Sequence, residues 1–245
     1  MQGEGDERPI LEIVDLYKTL RRRPVLTGLS LHVRPGEILG LFGPDGAGKT
    51  VSFYCMLGLL KPDSGRIVLE GEDITRLPFY RRAILGLGYL PEQPSIFRGL
   101  TVAQNVQAMI ETVEDDPALR KHRLEELLED LDIAHLRDTK ATDLSGGERR
   151  RCEIARSLAL EPLVMLLDEP FAGIDPLTIA NITELIREMK RRGIAVLLTD
   201  QNVDVMLELI DRACVLDEGR LVFEGSPQDM LDDPIVIEHY LGVDD

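Results

Sequence analysis

The residues best suited to chemistry in this chain are Gly43-Pro44-Asp45-Gly46-Ala47-Gly48-Lys49-Thr50. Their spacing is G-x-x-x-x-G-K-[ST], a loop whose backbone N–H groups can surround a phosphate. The flanks suit that reading: Ile38-Leu39-Gly40-Leu41-Phe42 reads as a buried strand, and residues 51–60, opening with Val51, read as a helix. A helix N-terminus offers unpaired N–H donors and the positive end of a dipole, so anions bind there. In this pattern Lys49 reaches the β- and γ-phosphates of ATP, and Thr50 holds Mg²⁺. Farther on, Asp168 ends the apolar run Leu163-Val164-Met165-Leu166-Leu167. An acid at the carboxyl end of a buried strand lies where ligands bind in open α/β sheets, and it suits the Mg²⁺ partner of a nucleoside triphosphate. Glu169 follows at once and can polarise an attacking water. A third stretch is Leu144-Ser145-Gly146-Gly147-Glu148, in which Ser145 and Glu148 have capping-box spacing. A plain capped helix explains it locally, yet its glycine-lined N-terminus is also a second anion site. Two such sites on one chain suggest a dimer that holds nucleotide between the phosphate loop of one copy and Ser145-Gly146-Gly147 of the other.

The elements that must position these groups follow an α/β rhythm. Residues 10–14 and 28–33 alternate apolar and polar, as half-buried strands do, and Tyr17 falls in a loop between them, ahead of Arg21-Arg22-Arg23. Residues 65–69 and 87–90 read as short strands. From about residue 101 the pattern turns helical: residues 102–110 first, then a helix that Asp116-Pro117 opens as N-cap and first residue. Leu124, Leu127, Leu128 and Leu131 share one face of that helix, and Ile154, Ala155, Leu158 and Ala159 one face of the helix behind Ser145. This is a helical lobe inserted into an α/β core. The α/β order resumes at residue 163, with a strand apolar throughout, as in a parallel sheet buried on both faces. A helix then runs from Asp175-Pro176 to Gly193 with Ile182, Leu185, Ile186 and Met189 inward. Residues 194–199 form a strand, residues 203–210 a short helix, and residues 213–216 and 221–223 a hairpin. Ser226-Pro227 opens the last helix.

With 245 residues, 44% hydrophobic and 29% charged, the composition is that of a globular protein. A net charge of −16 argues against nucleic acid as a partner. Cys55, Cys152 and Cys214 are widely spaced and outside any C-x-x-C, as reduced cytosolic thiols are. His32, His122, His135 and His239 have no metal-ligand spacing. The acidic N-terminus lacks the apolar segment of a signal peptide, and no apolar run approaches the ~18 residues of a membrane span.

The order of motifs resembles the ATPase subunit of ATP-binding-cassette (ABC) transporters over residues 10–242. GPDGAGKT resembles the family's Walker A motif, LSGGE its signature, VMLLDEP its Walker B motif, and AGIDP, with Asp175, its D-loop. LSGGE between the two Walker motifs is specific to this family. The resemblance implies a P-loop NTPase with a RecA-like α/β core and antiparallel β-lobe, residues 10–92 and 163–242, and a helical lobe at 93–162. It implies ATP and Mg²⁺ as cofactors, a second copy of the chain and transmembrane subunits as partners, and a place on the cytoplasmic face of the bacterial inner membrane. It also implies Tyr17 as the aromatic that stacks on adenine. Subfamily words such as GYLP, SIFR, GERRR, EPFAGIDP and YLG are similar to the ATPase of the lipopolysaccharide exporter. Four positions depart from the pattern. Asp45 stands where Asn is usual, Val51 replaces a hydroxyl residue, Glu92 takes the Q-loop position near the metal, and Gln201 replaces the switch His at the γ-phosphate. Glu92 and Gln201 are similar instead to the ATPases of branched-chain amino-acid importers, which is the alternative. A soluble ATPase of the same superfamily would carry two cassettes or long inserts. A nucleotide-gated dimer with weak hydrolysis is the reading the four departures favour, whereas the intact Lys49, Thr50, Asp168 and Glu169 favour an ATP-hydrolysing motor.

A motor without a span must pass motion to a partner that has one. Residues 91–100 follow Glu92 and lead into the helical lobe. Ile96, Phe97 and Arg98 within them have the makings of an interface anchor. The alternative is that Ile96 and Phe97 pack the two lobes together.

Overall fold

The computed structural model describes residues 8–242. Residues 1–7, and with them the reading of the acidic N-terminus, lie outside the described residues. Two sheets carry the fold. The antiparallel one has the order β2-β1-β4-β5, from β1 (Leu11–Leu20), β2 (Arg23–Val33), β4 (Ser64–Leu69) and β5 (Glu72–Asp73). The six-stranded one has the order β10-β9-β3-β8-β7-β6. Its strands are β3 (Ile38–Phe42), β6 (Leu87–Leu90), β7 (Val164–Asp168), β8 (Ala195–Thr199), β9 (Arg212–Asp217) and β10 (Arg220–Gly225). All pair in parallel except β10, which returns antiparallel along β9 as the expected hairpin.

Alternation along the parallel strands divides the core. Leu39, Leu41, Val164, Leu166, Ala195 and Leu197 face α1 (Lys49–Leu57) and the antiparallel sheet. Ile38, Phe42, Met165, Leu167, Val196 and Leu198 face the helices on the other side. These include α3 (Val102–Ile110), α4 (Pro117–Asp130), α5 (Gly146–Leu158) and α6 (Pro176–Arg191). Every residue of β3, β7 and β8 is buried, which is why those strands read as unbroken apolar runs.

Three expectations need correction. Tyr17 is in β1, not in a loop. Asp15, at φ 49°, forms a bulge that shifts the register between Ile13 and Leu16. The inserted residue moves the inward positions from Leu11 and Ile13 to Leu16, so a strict alternation breaks after residue 14 while the strand continues. Likewise β2 starts at Arg23, because Arg21 and Arg22 make a tight hairpin turn with φ 48° and 68°. The helix opened by Ser226-Pro227, α8 (Pro227–Asp232), is followed by α9 (Pro234–Val236) and a π-helical turn, Ile237–Leu241. A short helix, α2 (Phe79–Ile84), also lies where none was expected.

Candidate nucleotide site

The phosphate loop joins β3 to α1, whose first residue is Lys49. Gly43, at φ 142°, leaves no room for a side chain, since a Cβ there would lie 2.1 Å from the Leu216 carbonyl oxygen. Gly48, the N-cap, holds φ 112°. The loop is braced from outside: Gly219 N–H donates to the Ala47 carbonyl at 3.0 Å, and Thr27 N–H to the Gly219 carbonyl at 2.9 Å. Lys49 Nζ donates to the carbonyls of Gly43 (2.6 Å) and Pro44 (3.1 Å). Its partial burial lowers its pKa, against the charges of Asp45, Glu169 and Asp168. Asp45, Gly46 and Thr50 are exposed at the mouth of the loop, and Val51 is half-buried. The far end of α1 is held by Arg82 of α2, 1% exposed. Its guanidinium donates to the carbonyls of Cys55, Met56, Thr75 and Leu77.

Beside this loop, β7 delivers Asp168, 4% exposed, and then Glu169 in a left-handed conformation at φ 46°. Burial pushes the Asp168 carboxyl up to about 6; a hydrogen bond from the Tyr89 hydroxyl at 3.3 Å opposes that, while Glu169 and Glu92 add to it. A buried carboxylate with one hydrogen-bond donor is short of a cation, so the chemistry of Asp168 fits a divalent metal. Glu169 is also pushed up by burial, and its carboxylate accepts from Gln201 Nε2 at 3.4 Å. Its backbone is fixed by Glu169 N–H to the Thr199 carbonyl at 2.8 Å.

Ser145 caps α5 in both directions of the capping box: Glu148 N–H to Ser145 Oγ at 3.3 Å, and Ser145 N–H to Glu148 Oε2 at 2.8 Å. Gly146 faces open space, whereas a Cβ on Gly147 would meet Thr178 Oγ1 at 2.7 Å. Asp175 caps α6: one carboxylate oxygen accepts from the N–H groups of Leu177 and Thr178, the other from the Thr178 hydroxyl at 2.6 Å.

A family model described as ABC transporter matches residues 26–172. The chain belongs to the ABC transporter family. Within it, the chain is 52% identical over 233 residues to the lipopolysaccharide export system ATP-binding protein LptB of Acidithiobacillus ferridurans, covering 95% of this chain and 97% of that protein. It is 45% identical over 231 residues to LptB of Escherichia coli K12, covering 94% and 96%. Among solved structures, the ADP conformation of MJ1267, an ATP-binding cassette of an ABC transporter, superposes with a TM-score of 0.85 at 29% identity, covering 96% of this chain and 99% of that one. The loop of Gly43–Thr50 is thus the Walker A motif of an ATP-binding subunit, and Asp168 and Glu169 stand in its Walker B motif. Among the described residues no helix is long and apolar enough to cross a membrane.

Lys49, Asp45, Asp168, Glu169, Glu92 and Gln201 converge at this ABC site: Asp45, Asp168 and Glu169 act on the charge of Lys49, Glu92 on both Walker B carboxylates, and Gln201 touches Glu169. Among the described residues, Ser145 and Glu148 of the signature hydrogen-bond each other rather than that cluster, and Gly147 packs against Thr178 of α6. Tyr17 is 46% exposed and lies over Gly28, where a Cβ would meet its hydroxyl at 2.9 Å; Thr27, which braces the turn beside Ala47, is its cross-strand partner. In the loop of residues 91–100, Ile96 is buried in the core, whereas Phe97 is 41% exposed and Arg98 is exposed.

Sequence reasoning missed the residues that hold this loop. Arg150 donates to the carbonyls of Pro91 (2.7 Å) and Glu169 (3.3 Å), Glu153 accepts from Ser95 N–H (2.7 Å), and Arg156 donates to the Ser95 carbonyl (2.7 Å). The Arg156 guanidinium also lies 4.0 Å from the Phe97 ring centroid. The three are spaced i, i+3 and i+6 on α5, a charged stripe that a sequence reading takes for a solvated face. Tyr89 was missed because its partner Asp168 lies 79 residues on, and Arg82 because Cys55 and Met56 lie 27 and 26 residues back.

Proposed function

We propose that this chain is the ATP-hydrolysing subunit of a lipopolysaccharide exporter, working as a pair of copies beneath transmembrane subunits at the cytoplasmic face of the inner membrane. The observation that carries the reading is the convergence of Lys49, Asp168, Glu169 and Gln201 on one phosphate loop, in a chain that matches LptB proteins over nearly its whole length. In this reading Mg²⁺ is held by Thr50 and Asp168, with Glu92 beside them, and Glu169 polarises the attacking water. Gln201 orients Glu169 through its amide. Tyr17 stacks on adenine, and Ser145, Gly146, Gly147, Glu148 and Asp175 complete the site of the second copy. Residues 93–162 act as a lobe against the core of residues 10–92 and 163–242. Phe97 and Arg98 are exposed and meet the transmembrane subunits, while the buried Ile96 anchors their loop.

The pair of copies is tested by Glu169→Gln, which keeps the shape of the base and removes its charge. With Mg-ATP this variant elutes as a dimer in size exclusion, and without nucleotide as a monomer. A monomer at saturating, demonstrably bound nucleotide would sink the sandwich. A second reading, slow hydrolysis with ATP acting chiefly as a switch, is favoured by the Gln201–Glu169 contact: a donor on the carboxylate lowers its basicity, and Gln cannot carry a charge as His can.

A further inference from the structure

Tyr89 lies outside the motifs yet touches the metal-site acid. In β6, Leu87 and Tyr89 pair with Val164 and Leu166 of β7, so they share the sheet face on which Asp168 also points, toward α1. From its place opposite Leu166 the phenol reaches one pleat farther, and its hydroxyl donates to Asp168 Oδ2 at 3.3 Å. Among the described residues this is the one hydrogen bond to the Asp168 carboxylate. The ring has little freedom. It packs against the cluster that contains Phe53, Met56 and Leu166, and its hydroxyl is also within hydrogen-bonding reach of Tyr54 of α1. On the opposite face a Cβ at Gly88 would lie 2.3 Å from Met165 Sδ, so β6 is pressed directly onto β7. Ser157 of α5 donates to the Tyr89 carbonyl at 3.3 Å. The strand then runs straight into Pro91, whose carbonyl Arg150 holds.

We propose that Tyr89 is a positioning residue for the divalent ion: its hydroxyl fixes one oxygen of Asp168 so that the carboxylate keeps a single orientation toward the metal. This rests on the reading that Asp168 holds Mg²⁺. Mg²⁺ demands near-ideal octahedral geometry, so a carboxylate free to rotate is a poorer ligand. Hydrogen bonds to a ligating carboxylate commonly change metal affinity by about 10–100-fold. The other charges facing Asp168 are Glu169, Glu92, Lys49 and Arg150, and among the described residues none of them donates a hydrogen bond to Oδ2. Tyr89 also stands three residues before Glu92, on the strand that enters the loop of residues 91–100, so displacement of that loop is felt at the metal acid through this hydroxyl.

The test is ADP binding by calorimetry on the full chain, in EDTA and across a Mg²⁺ titration. Tyr89→Phe keeps the ring and loses the hydroxyl. Its ADP affinity in EDTA stays within about twofold of the parent, and the Mg²⁺ midpoint rises roughly tenfold. Tyr89→Leu loses ring and hydroxyl together; it shows the same midpoint as Tyr89→Phe with a lower melting temperature. An unchanged midpoint in Tyr89→Phe overturns the proposal. So does a midpoint that tracks melting temperature across the two variants, or an equal loss of ADP affinity in EDTA, because each reduces Tyr89 to packing. A parent chain whose ADP binding ignores Mg²⁺ overturns the metal reading of Asp168 itself, and with it the role of Tyr89.

Discussion

The two signature glycines make opposite predictions. Gly146 and Gly147 are consecutive in the first turn of α5, so a Cβ at either gains the same intrinsic helix preference, about 0.5–1 kcal/mol over Gly. Their surroundings differ. At Gly146 nothing lies within 4 Å of an added Cβ, so Gly146→Ala leaves the melting temperature equal to the parent's or slightly higher. At Gly147 the Cβ would meet Thr178 Oγ1 at 2.7 Å and Cγ2 at 2.8 Å. Thr178 cannot yield cheaply: it is β-branched, with few rotamers, and its hydroxyl is tied to Asp175 at 2.6 Å. Overpacking of this kind costs about 1–3 kcal/mol, which the helix gain offsets only in part. A net loss of about 1–2 kcal/mol lowers the melting temperature by about 2–8 °C in a chain of this size. Differential scanning calorimetry of both variants, and of Gly147→Ala combined with Thr178→Ala, is the assay. The double variant recovers most of the loss. If Gly147→Ala melts like the parent, or Thr178→Ala gives no relief, the packing argument is wrong. Gly146→Ala then probes the proposed second copy's site in isolation: intact folding with loss of the ATP-driven dimer is expected, because in that proposal phosphate approaches the open space at Gly146.

Other expectations follow from the same site. Gln201→His together with Glu92→Gln raises kcat for phosphate release, and an unaltered kcat would show that these two positions are not what sets turnover. Phe97→Ala costs about 1 kcal/mol or less in a melt, because the ring is partly exposed and loses chiefly its stack with Arg156, while the membrane partner is lost from pull-downs; a large drop in melting temperature with the partner still bound would refute its anchoring role. Asp168→Asn stabilises the nucleotide-free protein at pH 7–8. The folded carboxyl titrates at about 6, above its ordinary 3.8, so the fold is penalised progressively as pH rises through that window and fully above it. The gain at pH 8 is about 2–3 kcal/mol and disappears below pH ~4; equal urea midpoints for variant and parent at pH 8 would contradict this.

What the sequence disclosed and what it hid divide along range. The phosphate loop, the Ser145–Glu148 box and the Asp175-Pro176 helix start were legible because each is decided within about four residues by caps, glycines and dipoles. The buried strands were legible because both their faces are covered. Tyr17 was misplaced because one bulged residue, Asp15, resets the alternation on which the strand reading depended. Helix α2 was missed because its inward residue is Arg82, and a charged residue facing the core cancels the expected apolar stripe. Tyr89, Arg150 and Thr178 do their work on partners from 19 to 79 residues away, or through a gap that only a glycine leaves. No local pattern encodes such a contact.

Arg82 has an effect at the opposite end of the helix it holds. Helix α1 has nine residues and is therefore roughly 13 Å long. Its N-terminus offers positive potential to phosphate, and its C-terminus would ordinarily present a compensating negative pole. A buried guanidinium on the carbonyls of Cys55 and Met56 neutralises that pole and leaves a surplus positive charge behind it. Across ~17 Å at an effective dielectric of ~20, that surplus of about half a charge attracts each unit of phosphate charge by about 0.5 kcal/mol. Being buried, it is little screened by salt. Part of the pull on a nucleotide's phosphates therefore originates in α2, a helix that shares no residue with the Walker A, signature or Walker B motifs.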